Sequence, residues 1–124
     1  MKKLLLIPIS SIISLIFVQI VLAQNPTCEE QYETWLMMQS CDTICNFSTS
    51  IKDFILNYLQ QAKYGNGGYC DRILSDKKMQ DISLKVLPII REGYVDLKKD
   101  FGEKGHQAFC DTMQELILDI KNKN

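Results

Sequence analysis

The chain has 124 residues, 46% of them apolar, with 14 basic and 15 acidic side chains and a net charge of −1. That length fits one domain with a modest core. The near-neutral, scattered charge excludes the basic footprint of a nucleic-acid binder.

The amino-terminal segment has the order of a secretory signal peptide. Lys2 and Lys3 form a positive start, and Leu4 to Leu22 is uncharged and mostly Leu, Ile and Val. Val21-Leu22-Ala23 then offers modest side chains where a signal peptidase cuts, so residues 1–23 are expected to be a signal peptide removed after Ala23. A retained membrane anchor is the competing expectation, because the apolar run approaches the ~20 residues that span a bilayer. No basic cluster follows it, which favours cleavage. Residues 24–124 would then be a single secreted helical domain starting at Gln24, with net charge −3 once both lysines are gone, and with no membrane span.

All five cysteines, Cys28, Cys41, Cys45, Cys70 and Cys110, follow the cleavage point. In a secreted chain of this size they are expected to form disulfides. Five is odd, so one thiol is left over. Asn46-Phe47-Ser48 is an acceptor sequon for N-glycosylation, whereas Asn25-Pro26-Thr27 is spoiled by its proline.

The apolar period is helical throughout the mature segment. Thr27 followed by Glu30 predicts a capping box that opens the first helix. Tyr32, Trp35, Leu36 and Met38 supply its apolar side, and its end falls between Ser40 and Cys45. In the next segment Ile51, Phe54, Ile55, Tyr58, Leu59 and Ala62 form one stripe, with Lys52 off it at the surface. Gly65-Asn66-Gly67-Gly68 is expected to stop that helix, and a short helical piece would follow over 69–74. Ser75 then caps a longer segment carrying Met79, Ile82, Val86, Ile89, Ile90, Tyr94, Leu97 and Phe101, with a kink or break at Pro88. Gly102 and Gly105 bracket a turn before the last helix, which aligns Phe109, Met113, Leu116, Ile117 and Ile120.

These elements predict an all-α, disulfide-stabilised antiparallel bundle of about four helices. Up-and-down topology brings Cys70 back to Cys28 and Cys110 to the Cys41/Cys45 end. Cys28–Cys70 is therefore expected, with Cys110 joined to Cys41 or Cys45. A glycan on Asn46 would crowd Cys45, so Cys45–Cys110 is the second expected bridge. Cys41 is then the exposed odd thiol, expected to form a disulfide-linked homodimer or a covalent complex with another secreted protein. The alternative is that the fifth cysteine is buried and behaves as a small apolar side chain.

Chemistry-bearing motifs are few. Cys41-x3-Cys45 and His106-x3-Cys110 have the spacing of a four-ligand zinc site, but oxidation in the secretory pathway favours disulfides, with His106 on an exposed turn. No metal or cofactor is expected. Residues 64–71 resemble in outline the calcium loop of secreted phospholipases A2, but Arg72-Ile73-Leu74-Ser75 follows where those enzymes carry a His-Asp pair. The C-x3-C pair resembles that of insect odorant-binding proteins, which have two further cysteines near their carboxy terminus; this chain has Cys110 alone. With one histidine and no nucleophile motif, catalysis is not expected. Two functions fit: a secreted ligand or effector that binds another extracellular protein, or an extracellular carrier of a small hydrophobic or lipid ligand. Met37 and Met38 would line the cavity of a carrier, or else be plain core.

Overall fold

A computed structural model describes residues 27–123, and the expected signal peptide and Gln24 lie outside the described residues. The described residues form four helices: α1, Cys28–Cys45; α2, Thr49–Ile73; α3, Asp76–Phe101; and α4, Glu103–Lys123. The fold is all-α and held by two disulfides. Among the described residues, no helix is long and apolar enough to cross a membrane.

The start of α1 is fixed locally. The Thr27 hydroxyl accepts the Glu30 amide at 3.1 Å, and the Glu30 carboxylate accepts the Thr27 amide at 2.8 Å. Two otherwise unpartnered helix-end donors are thereby satisfied. Three consecutive residues, Leu36, Met37 and Met38, are buried, as is Cys41. Successive helix positions lie about 100° apart, so burial of three in a row means that α1 is covered on most of its circumference. It is the central helix, packed by α2 and α3 and, less extensively, by α4. α3 also packs on α4, whereas α2 meets α4 only narrowly and α3 least of all. Met37 and Met38 are therefore core side chains.

The α1–α2 corner turns on Asn46, which takes the left-handed conformation at φ 53° and donates its amide to the Asp42 carbonyl. The buried Asp42 carboxylate accepts the Phe47 amide at 2.9 Å and both its oxygens accept from the Lys52 ammonium, at 2.9 and 3.0 Å. Lys52 is thus a partner of a buried acid and not a free surface side chain. On α2, Ile51, Ile55 and Ala62 are buried, while Phe54, Tyr58 and Leu59 are half-buried.

The glycine run does not stop α2, contrary to the sequence expectation. The helix continues to Ile73, distorted where Gly67 and Gly68 adopt φ 70° and 78°. Positive φ is open to glycine at little cost, so the chain bends without ending. Arg72 bridges the distortion by donating to the Gly67 carbonyl at 2.7 Å. What carries the helix onward is the tether of Cys70 to Cys28 and the burial of Leu74, which form a small apolar cluster apart from the main core. The separate short piece expected over 69–74 is the end of this same helix.

α3 runs through Pro88, which is exposed, with no break. Its buried side is Ile82, Val86, Ile90, Gly93 and Leu97; Phe101, expected on that side, is 46% exposed. Gly102 then turns the chain at φ 61°. Gly105 lies so close to the Leu97 carbonyl that a Cβ there would collide with it. α4 buries Phe109, Met113, Ile117 and Ile120 in the main core.

Candidate functional site

A cleft of about 280 Å³ opens between α1 and α3. Ser40, Thr43 and Ile44 line it from α1, and Leu87, Ile90, Arg91 and Tyr94 from α3. Ser40 and Thr43 face α3 with short polar side chains, which leaves space where larger ones would close the seam. Their hydroxyls donate inward, Ser40 to the Leu36 carbonyl at 2.7 Å and Thr43 to the Gln39 carbonyl at 3.1 Å. The oxygen lone pairs remain for an incoming donor.

The far wall is held rigidly. Tyr94 packs edge-on against Phe109 at 5.2 Å and against His106 at 5.6 Å between ring centres. Its hydroxyl and His106 Nδ1 share a hydrogen bond of 2.7 Å, and His106 Nε2 lies 3.8 Å from Cys110 Sγ. His106 is therefore a half-buried side chain of α4 and not part of an exposed turn. Cys110 is bonded to Cys45 at the end of α1, which anchors the helix that forms the opposite wall.

Arg91 stands at the rim, exposed, and makes no ion pair or hydrogen bond with another described residue. Leu84, Pro88, Arg91 and Val95 recur at i, i+4, i+7 and i+11 and share the outer face of α3. Leu84 is 68% and Val95 51% exposed. Pro88 has no amide hydrogen, so it withholds the usual helical donor from the Leu84 carbonyl.

The site residues named from the sequence lie elsewhere. Cys28 is bonded to Cys70 and Cys45 to Cys110, at Cα separations of 5.4 and 5.6 Å. Cys41 is free but wholly buried in the main core, which corrects the expectation of an exposed thiol. The reason is that α1 is central, so the Cys41 face of the C-x3-C pair turns inward. Burial, helped by the Asp42 charge, pushes the Cys41 thiol far above the ordinary range, so it stays protonated and unreactive. A disulfide to a second chain through this thiol would require the core to open. Asn46 is exposed at the corner, but Phe47 in the middle of its sequon is buried. Among the described residues, no group of three or more His, Cys, Asp and Glu side chains is placed to hold a metal.

Sequence reasoning passed over Leu84, Arg91 and Val95. Leu84 and Val95 carried a signal, as apolar residues off the buried stripe of an otherwise amphipathic helix. No protein-family model, curated protein or solved structure matches the chain at a significant level.

Proposed function

We propose that the protein is secreted and acts by binding another extracellular protein through the outer face of α3. The observation that carries this reading is the exposed apolar stripe Leu84–Pro88–Val95 beside an open cleft with an unpaired arginine. Aliphatic side chains grouped on one helix face, with polar groups at the rim, are the anatomy of a partner surface. The two disulfides and the signal-like amino terminus support export to an oxidising compartment. Exposure of Asn46 supports a glycan there, attached before Phe47 is buried. A carrier of small apolar ligands is less well supported, because Met37, Met38, Phe109 and Met113 are buried in the bundle core.

Photo-crosslinking in the extracellular fluid of the native source tests the proposal. Benzoylphenylalanine in place of Leu84 should trap a discrete protein, and the same group in place of Asp119 should not. Excess wild-type protein should suppress the adduct, whereas a Leu84→Asp/Val95→Asp variant should compete poorly. A stoichiometric lipid in an organic-solvent extract, with no saturable adduct, would establish the carrier function instead.

A further inference from the structure

The geometry points to a specific recognition chemistry at the α1–α3 cleft: one apolar side chain of a protein partner seated beside a carboxylate that pairs with Arg91. The inference rests on the proposed binding role of the α3 face and names what that face selects.

The cleft sits at the small end of ligand sites, and the exposed side chains beside it choose the occupant. About 280 Å³ lies just below the ~300–1,000 Å³ of ordinary ligand pockets. It suits a single leucine- or phenylalanine-sized anchor between Ile44, Leu87 and Tyr94. Such an anchor alone would leave Leu84 and Val95 uncovered, one above and one below the cleft along α3. A polypeptide passing over the cleft covers both, which a free amphipathic acid cannot do.

Charge decides the neighbouring group. Arg91 has no acidic partner among the described residues. A second cation lies two turns further on, where the Lys98 ammonium stands 6.0 Å from the Tyr94 ring centre. The α1 wall contributes two neutral hydroxyls and the apolar Ile44. Arg91 is therefore a cleft-lining cation without a partner, and an Asp or Glu beside the anchor would form a forked hydrogen-bonded pair with the guanidinium. The Leu84 carbonyl, deprived of its helical donor by Pro88, can accept a backbone N–H from the same partner segment.

The test uses the full mature protein, labelled with nitrogen-15, and three probes: Ac-Leu-Asp-NH2, Ac-Leu-Asn-NH2 and octanoate. Ac-Leu-Asp-NH2 should shift the amides of Thr43, Ile44, Leu87 and Arg91 saturably. Ac-Leu-Asn-NH2, or Ac-Leu-Asp-NH2 with an Arg91→Gln variant of unchanged melting temperature, should bind about five-fold more weakly. Equal binding of the Asp and Asn probes, or no effect of Arg91→Gln, would overturn the carboxylate assignment. Tighter saturable binding of octanoate than of the peptide would overturn the protein occupant. If the cleft ignores every probe while crosslinking from position 84 still traps a protein, the cleft chemistry fails and the α3 binding face stands; loss of the adduct as well sinks both.

Discussion

At the scale of single residues, burial and close approach decide the outcome. Cys41 should resist alkylation by iodoacetamide in the native protein and react once denaturant opens the core. Its raised pKa also has a consequence for stability. Below the ordinary thiol pKa of about 8.5 both folded and unfolded chains hold the proton, and pH has no effect through this group. Above it only the unfolded chain releases the proton, so stability falls as pH rises, by up to about 1.4 kcal/mol per pH unit. Denaturant melts at pH 8 and pH 10 should show a steeper loss for wild type than for Cys41→Ala, and parallel losses would refute the account. Glycine offers a second contrast. Gly105→Ala drives a Cβ into the Leu97 carbonyl at the α3–α4 crossing and should destabilise by roughly 1–3 kcal/mol, the range for overpacking. Gly65 has open space around its Cβ position and no positive φ, so Gly65→Ala should stabilise by about 0.5–1 kcal/mol. Equal melting temperatures for the two variants would show that the crossing is looser than described.

Single elements divide by how far away their determinants lie. The start of α1 was legible because Thr27 and Glu30 make a complete capping box within four residues. The stripe of α4 was legible because Phe109, Met113, Ile117 and Ile120 need only one helical face and one core. The end of α2 was not, because glycine at 65, 67 and 68 carries the local signature of a stop while the instruction to continue comes from Cys28. Nor was the inward turn of Cys41, which depends on three other helices surrounding α1. Phe101 kept the period of its helix but lies at the last turn, where Gly102 diverts the chain from the core. The proposed binding face was half legible: Leu84 and Val95 stand off the buried stripe, but the space beside them depends on Ser40 and Thr43 of another helix. The Asp42–Lys52 pair is a similar long-range device at the α1–α2 corner. Asp42→Ala should cost about 1–3 kcal/mol, since it strips the buried Phe47 amide of its acceptor. Lys52→Ala should cost less, because its side chain is 41% exposed and its charge is screened by solvent. A Lys52 variant less stable than the Asp42 variant would reverse that ranking.

Across the whole molecule, the disulfides join units of different cooperativity. Their sequence separations, 42 and 65 residues, give nearly equal stabilisation in a chain-entropy account, about 4 kcal/mol each. The structural settings differ more than the loop lengths do. Cys45 and Cys110 pack against the main core and join the end of α1 to the start of α4. Cys28 and Cys70 lie in the separate cluster with Leu74, beyond the glycine distortion of α2. Apart from Tyr32, which packs on both clusters, few side chains couple that second cluster to the first. Replacing Cys28 and Cys70 by alanine together should therefore release the end of α2 first, from Gly67 to Leu74. Amide hydrogen exchange would then speed up in that segment while the amides of Ile55, Phe109 and Met113 keep their protection, the behaviour of a local unfolding unit. The paired alanine replacement of Cys45 and Cys110 should lower protection throughout the main core, because α1 loses its covalent hold on α4 and global opening becomes easier. Uniform loss of protection in both variants would mean that the two clusters unfold as one, and that the glycine distortion does not separate them.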